Sequence, residues 1–272
     1  ANLANPGMIR SMNLKIGSKV VITKRGEIIP KIESLVENPK DALPISIPSH
    51  CSQCGAELID EDTRLYCPNP ECPGKAYHRL EKWLSVVDIK DIGSTLLRRL
   101  FEAKRVMRIP DLYTLTMDEL ISFERMGEKS AQKILRNIKG RNEVSLSQFI
   151  AGFDIEGIGL LMADKLVEAG YDTLDKILAA SPADFEKIEG FAEITAKALY
   201  EGLHLVEKDM RELVDRGYVR IKPPLRRIQR GTNPIAGKSF CFTGELRSMK
   251  RSDAEKLVRE MGGIAKSSVT KD

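Results

Sequence analysis

The chain has 272 residues, of which 42% are hydrophobic and 30% are charged, and its formal net charge is +4. These proportions are typical of globular proteins and exclude the fibrous and intrinsically disordered classes. No apolar run approaches the roughly 20 residues that a membrane span requires, and the N-terminus has no secretion-signal pattern. We therefore expect an intracellular, cytoplasmic protein with no membrane partner and a length sufficient for about two or three domains.

The first predicted element is a β-hairpin within residues 14–36. β-Branched residues are dense at Val20–Thr23 and Ile28–Ile29, and a turn at Arg25–Glu27 separates the two runs. Two strands are not independently stable, so the hairpin is interpreted as the end of a larger sheet domain. Lys24 and Arg25 are the candidate phosphate contacts in this basic segment. Residues 37–50 are interpreted as a proline-containing connector.

The most specific motif is a cluster of four of the five cysteines, with C-x2-C, twelve residues, and then C-x4-C spacing. Such spacing predicts two tight turns that direct four thiolates at one tetrahedral zinc ion. The alternative, two disulfides, is disfavoured because no secretion signal is present. A shell of four thiolates has no open position, so the zinc is predicted to be structural. The predicted ligands are Cys51, Cys54, Cys67 and Cys72, whereas Cys241 is expected in a buried strand.

Residues 75–222 have a helical hydrophobic pattern in which a short glycine-containing turn recurs about every 33 residues. Backbone N–H groups at the N-terminus of the helix after each turn form an anion site suited to phosphate. The alternative is that glycine only permits a tight turn between packed helices. Asp91 in the first copy is expected to repel a phosphate, which favours the second and third copies. The predicted DNA contacts in the repeats are Ile92, Gly93, Gly127, Lys129, Gly157, Gly159 and Gly190.

The last part of the chain follows a Pro223–Pro224 break and a basic linker. Its pattern predicts a strand at Lys238–Thr243, an amphipathic helix at Ser252–Met261 and a second strand at Ile264–Val269. About 38 residues of α/β structure are few for an autonomous domain. Both ends of the chain are therefore interpreted as cut from a longer protein.

In this order the parts resemble the C-terminal half of bacterial NAD-dependent DNA ligases. That resemblance implies a multidomain, mainly α fold, with the end of an OB-fold, a four-cysteine zinc finger, four helix-hairpin-helix motifs and a truncated α/β BRCT segment. The implied boundaries are 1–46 for the OB part and connector, 47–74 for the zinc finger, 75–222 for the helix-hairpin-helix domain, 223–233 for the linker and 234–272 for the BRCT part. The motifs that carry the resemblance are Leu14–Val21, Gly26–Pro30, Cys67–Pro73, Met126–Ala131, Gly237–Lys238, Phe242–Gly244 and Gly262–Gly263.

The resemblance implies sealing of nicks in duplex DNA during replication and repair. In that family NAD adenylates a lysine of a K-x-D-G motif, AMP passes to the 5′-phosphate, and the 3′-hydroxyl then attacks. This sequence contains no K-x-D-G motif, so NAD and Mg²⁺ are expected to act through a part outside it. The chain alone is predicted to be inactive, with no catalytic residue, and to bind nicked double-stranded DNA as a monomer. Its expected location is the bacterial cytoplasm, associated with the nucleoid.

Two other classes of function stay open at this point. One is a DNA-repair scaffold without ligase ancestry, although a β-hairpin before the zinc finger argues against it. The other is a nuclease, which needs clustered carboxylates to hold metal ions. The only dense acidic run, Asp60–Asp62, lies in the zinc loop and is interpreted as solvated surface.

Overall fold

The structure, a computed structural model, describes residues 3, 5–25, 29–223, 235, 237–244, 246, 249 and 251–266. For residues 25, 29, 252, 256, 259 and 260 only the backbone is described. The described chain is mainly helical with five small two-stranded sheets, which confirms the predicted fold class. None of the described helices combines the length and apolarity that a membrane crossing needs.

The N-terminal segment contains the predicted β-hairpin. Its two long strands are antiparallel, and a second pair of two-residue strands lies beside the connector. Residues 26–28 of the predicted turn lie outside the described residues. Sequence reasoning predicted neither the short first helix nor the strand inside the connector. In chain order the elements are α1 (Pro6–Ser11), β1 (Lys15–Ile16), β2 (Lys19–Arg25), β3 (Ile29–Glu37) and β4 (Leu43–Pro44).

The central part begins with a two-residue β-ladder and continues as ten helices up to residue 222, among the described elements. A parallel pair of three-residue strands joins its middle to its end. The elements are β5 (Ile59–Asp60), β6 (Leu65–Tyr66), α2 (Pro73–Val87), α3 (Ser94–Glu102), α4 (Ile109–Thr114), α5 (Met117–Ile121), α6 (Glu128–Gly140), β7 (Glu143–Ser145), α7 (Leu146–Gly152), α8 (Leu160–Glu168), α9 (Leu174–Leu178), α10 (Pro182–Phe185), α11 (Glu193–Asp215) and β8 (Arg220–Lys222).

Four helical hairpins organise this part, as the repeat predicts. Hairpin 1 joins α2 to α3, hairpin 2 joins α5 to α6, hairpin 3 joins α7 to α8, and hairpin 4 joins α10 to α11. In each second helix the fourth and seventh residues after the N-cap are buried on one stripe, because they are one helical turn apart. These residues are Leu97, Leu100, Ala131, Ile134, Ala163, Leu166, Ala196 and Leu199.

The packing of α2 against α7 forms the centre of the core. Trp83 is fully buried and contacts the rings of Phe149 and Phe153 edge-on, at centroid distances of 5.8 and 5.5 Å. A Cβ on Gly152 would lie 2.7 Å from the Trp83 ring, so only glycine permits this approach. Since α2 begins one residue after Cys72, the helical core is continuous with the cysteine motif.

The C-terminal segment is a β–α–β unit, as its pattern predicts. It consists of β9 (Ser239–Cys241), α12 (Arg251–Glu260) and β10 (Ile264–Lys266), and the two strands are parallel. Cys241 lies in β9 and is half-buried, so it is less enclosed than predicted. Residues 224–233 of the basic linker and 267–269 of the second predicted strand lie outside the described residues.

Candidate metal centre and nucleic-acid interface

The four cysteines of the predicted zinc motif converge on one point. Their Sγ atoms all lie within 4.8 Å of one another, and Cys51, Cys54, Cys67 and Cys72 all have free thiols. The Sγ atoms of Cys51 and Cys72 are 3.8 Å apart, and those of Cys54 and Cys67 are 3.5 Å apart. A tetrahedral zinc ion with bonds of about 2.3 Å separates its sulfurs by about 3.8 Å, so the cluster fits one such ion.

Local backbone structure positions these thiols. The first pair lies on a turn in which the Gly55 N–H donates to the Cys51 carbonyl at 2.8 Å, and Gly55 has a φ of +72° that favours glycine. A backbone hydrogen bond from Ala56 lowers the pKa of Cys54 to about 6, whereas desolvation raises the pKa of Cys67 to about 12. Metal binding requires all four cysteines to bind as thiolates, so it releases the protons of those that are still protonated.

The cysteine module, residues 50–72, contacts the parts of the chain on both sides of it. Toward the N-terminus, Arg10 of α1 forms ion pairs with Asp60 and Asp62. The acidic run that an alternative reading considered for catalysis thus pairs with an arginine. Toward the C-terminus, Cys72 is 2% exposed and is the N-cap of α2, so the last ligand and the helical core share one rigid junction.

The turns of hairpins 1 and 3 contain Asp88 and Asp154 in the left-handed region. In all four turns a left-handed residue also lies two positions before the N-cap of the second helix. The φ values are 67° at Asp91, 65° at Arg125, 76° at Gly157 and 91° at Gly190. The repeat therefore keeps a left-handed residue at this position even where it lacks glycine. The following apolar residue anchors the turn: in hairpin 1 it is Ile92, which is 8% exposed. The Ile92 side chain is buried in the core. Only the backbone of Ile92 could therefore make the predicted DNA contact.

The residue after the anchor is the N-cap of the second helix in all four hairpins. Gly93, Gly127, Gly159 and Ala192 have extended backbone there and no side-chain cap. A Cβ at any of the three glycines would meet no atom within 4 Å, so the space before these helices is open. Within the described residues the first backbone N–H groups of these helices have no acceptor. Four helix N-termini are thus available to an anion.

The side chains around the four N-termini differ. Hairpin 2 has exposed Lys129 next to Glu128, and hairpin 1 has the hydroxyls of Ser94 and Thr95. Hairpins 3 and 4 carry apolar side chains at the second helical position: Leu161 is 71% exposed and Ile194 is 84% exposed. The N-terminal β2 strand holds Lys24 exposed, and of Arg25 only the backbone is described.

Cross-links between neighbouring hairpins were not predicted from the sequence. The Arg99 guanidinium of hairpin 1 donates to the Glu124 carbonyl in the turn of hairpin 2 at 3.0 Å. At the equivalent position of hairpin 3, the Lys165 ammonium donates to the Glu189 carbonyl of hairpin 4, also at 3.0 Å. Both donors lie six residues after an N-cap and both acceptors lie three residues before one. These links could have been predicted from the sequence, because a basic residue recurs six positions after the N-cap in both hairpins.

Asp91 takes part in the reciprocal link from hairpin 2 to hairpin 1. The Lys133 ammonium donates to its carboxylate at 2.9 Å, and the Asn137 amide bonds both this carboxylate and the Lys90 carbonyl. The Lys133 hydrogen bond lowers the pKa of Asp91, so the carboxylate stays charged and paired. The expectation that Asp91 repels a phosphate therefore overlooked a neighbouring ammonium that compensates its charge.

Comparison with known proteins agrees with this architecture. The family described as "SAM-like Helix-hairpin-helix tandem" matches residues 153–204, which contain the turns of hairpins 3 and 4. The whole chain is 53% identical to a protein named DNA ligase from Treponema denticola and covers 42% of its length. It is 48% identical to DNA ligase from Treponema pallidum, covering 32% of that protein. It is 33% identical to DNA ligase from Sorangium cellulosum, covering 39% of it.

The chain thus spans between about a third and two fifths of the length of these relatives. The similarity extends over all of this chain, and the cysteine cluster and the hairpins fall within it. Over its whole length, therefore, the chain is homologous to one region of the bacterial DNA ligases.

Proposed function

We propose that this chain is the DNA-gripping part of an NAD-dependent ligase that joins a 5′-phosphate to a 3′-hydroxyl at a nick. The observation that carries the proposal is the set of four helix N-termini with unpaired N–H groups and extended N-caps, in a chain similar to DNA ligases. Each N-terminus combines unpaired N–H donors with the positive end of a helix dipole. These groups recognise a phosphate without reading the base sequence.

One zinc ion is proposed to bind Cys51, Cys54, Cys67 and Cys72 and to have a structural role. Four thiolates leave it no open position for a substrate, and the cysteine module is too small to fold around an apolar core alone. When bound, the ion supplies the cross-link between the Gly55 turn, β6 and the start of α2. The module then holds the N-terminal β segment and the hairpins in one relative position.

Sealing itself is proposed for the whole protein, with NAD and Mg²⁺ acting outside this region. No K-x-D-G motif occurs in the chain, so we propose that the chain alone binds nicked duplex DNA, as a monomer, without sealing it. The N-terminal β segment, with Lys24 and Arg25, is proposed to add phosphate contacts, and the C-terminal β–α–β unit to belong to a BRCT domain. A DNA substrate implies work in the bacterial cytoplasm, in replication and repair.

The testing experiment is a salt titration of binding to a nicked duplex. Binding to about four phosphates predicts that the logarithm of the association constant falls with that of salt concentration with a slope of roughly −3.6. Nicked duplexes of unrelated sequence should give the same curve, and an intact duplex of one of these sequences is the control. A strong dependence on base sequence, or a slope near zero, would contradict phosphate gripping.

A second candidate function is a DNA scaffold that never takes part in ligation. It predicts the same salt dependence, so binding alone does not separate the two. Adding this chain in trans to the remaining region of a ligase that lacks it provides the distinction. Restored sealing supports the ligase role, whereas binding with no restoration under any condition supports the scaffold.

A further inference from the structure

Three of the four hairpin turns are held by a side chain from the second helix of the neighbouring hairpin. Arg99 holds the turn of hairpin 2 and Lys165 holds that of hairpin 4, each through a backbone carbonyl. Lys133 and Asn137 hold the turn of hairpin 1. Each link fixes a turn relative to the helix N-terminus beside it. The repeat therefore includes, besides the turn, a position six residues after the N-cap whose side chain hydrogen-bonds to the neighbouring turn. We call this interaction a lock.

Hairpin 3 is the exception. The equivalent positions of α11, six and ten residues after its N-cap, are Ala198 and Gly202, neither of which has a side-chain donor. Glycine is required at the second position, because a Cβ on Gly202 would lie 2.5 Å from Ile155 of hairpin 3. Close packing of α11 against hairpin 3 thus leaves no room for a side chain at the second position, and the first position has only a methyl group.

Two arginines outside α11 contact this turn instead. Arg79 of α2 donates to the Phe153 carbonyl at the start of the turn, at 3.2 Å, and Arg64 of the cysteine module binds a side chain near its centre. The Arg64 guanidinium donates to the Glu156 carboxylate at 2.5 Å, and Glu156 directly precedes Gly157 in the turn of hairpin 3. Its Nε donates to Glu61 at 2.6 Å, and its guanidinium lies 5.2 Å from the centre of the Tyr66 ring. Tyr66 in turn directly precedes the ligand Cys67, so Arg64 is oriented by the part of the module that the metal organises.

We propose that Arg64 is a positioning residue of hairpin 3, and that the metal-bound module thereby influences one of the four phosphate-binding turns. The inference rests on the proposed function, since it concerns the orientation of a phosphate-binding turn. The turn that has no side-chain donor at the two equivalent positions of the neighbouring second helix is the one that contacts Arg64. Release of the metal would loosen hairpin 3 first and leave the mutual lock of hairpins 1 and 2 in place.

The test compares two conservative changes at the two acidic partners of Arg64. Both Glu156→Gln and Glu61→Gln remove one negative charge, which by itself strengthens binding to DNA. If Arg64 positions hairpin 3, Glu156→Gln weakens binding to nicked duplex by about two- to fivefold, the range of an exposed ion pair. Glu61→Gln should bind as tightly as the original chain or more tightly, because it leaves the Arg64–Glu156 pair intact.

A double-substitution cycle identifies the partner. Arg64→Ala combined with Glu156→Gln should bind no more weakly than Arg64→Ala alone, with metal content and urea midpoint unchanged in each variant. Equal or tighter binding by Glu156→Gln would overturn the positioning role, since the charge effect would then be unopposed. If the unsubstituted chain itself binds DNA without salt dependence, the proposed function fails instead, so the two failures are distinguishable.

Discussion

Hairpins 1 and 2 differ from hairpins 3 and 4 in how their turns are held, although all four turns have a left-handed residue two positions before the N-cap of the second helix. The first pair is locked in both directions, by Arg99 one way and by Lys133 with Asn137 the other. The second pair is locked in one direction only, by Lys165. The comparison shows that a repeated turn can be held by different contacts. The turn of hairpin 3 is contacted by Arg64 of the cysteine module, whereas the other three turns are contacted by neighbouring hairpins.

The same two pairs differ in the surface beside their N-termini. The first pair presents hydroxyls and a lysine, whereas the second presents Leu161 and Ile194. Both pairs have open N–H groups, so the difference lies in the side chains and not in the backbone. Under the proposed function, charge contributes more to gripping by the first pair, and contact with apolar parts of DNA contributes more in the second.

The largest expected effect comes from loss of the metal site. Cys54→Ser should release the metal and unfold the cysteine module, because structural zinc supplies about 10–16 kcal/mol of apparent binding energy in small domains. Amide hydrogen exchange should then rise more in hairpin 3 than in hairpin 2. Cys241→Ser, outside the cluster, is the matched control and should keep one metal ion per chain. If amide exchange rose equally in hairpins 2 and 3, the metal-bound module would not support hairpin 3 specifically.

The apolar anchors give the next largest effect. Ile158→Ala in hairpin 3 should lower the free energy of unfolding by about 2–5 kcal/mol, since this side chain is buried. The equivalent Met126→Ala in hairpin 2 should cost about half as much, because Met126 is half-buried. Urea denaturation measures both. A larger loss from Met126→Ala would mean that the two turns are not built alike.

Removing either carbonyl lock should have a smaller effect. Arg99→Ala and Lys165→Ala should each lower the free energy of unfolding by about 0.5–1.5 kcal/mol, the usual range for one hydrogen bond. The loss should be larger for Arg99, because its guanidinium also lies 5.4 Å from the centre of the Phe123 ring. Lys197→Ala removes an exposed charge from α11 at no lock position and serves as the control. If Lys197→Ala lowered the free energy of unfolding as much as these two changes do, the carbonyl hydrogen bonds would have no specific stabilising role.

The smallest effect is expected from restoring the missing lock. Ala198→Lys places an ammonium on α11 at the position that Lys165 occupies on α8. In an Arg64→Ala background it should recover part of the DNA affinity, by less than about twofold, because one exposed interaction contributes little. Ala198→Lys alone should change binding less than it does in that background. Equal changes in both backgrounds would indicate a general charge effect.

The sequence predicted those features that depend on local spacing. Cysteine spacing predicted the cluster, and the 33-residue period predicted the four turns, because both follow from residues close together in the chain. The parallel β7–β8 pair was not predicted, since three-residue strands about 75 residues apart leave no periodic signal. The Arg64–Glu156 pair joins residues 92 positions apart, and only the packed structure brings them together. Asp91 and Arg125 show that a left-handed turn does not require glycine when neighbours support it.

The central claim is that the hairpin N-termini grip phosphate, and binding of nicked duplex by Gly127→Ala and Gly159→Ala tests it most directly. The structure accommodates both changes, with φ near −92° and −91°, open space for a Cβ, and alanine already at the equivalent Ala192. Each should therefore fold with its metal yet bind about tenfold more weakly, because a methyl group blocks a charged hydrogen bond. Ala192→Gly is the reverse change at hairpin 4, and it should tighten binding because it removes a methyl group from the same position. Unchanged affinity in both variants would contradict the claim and leave the hairpins a structural role only.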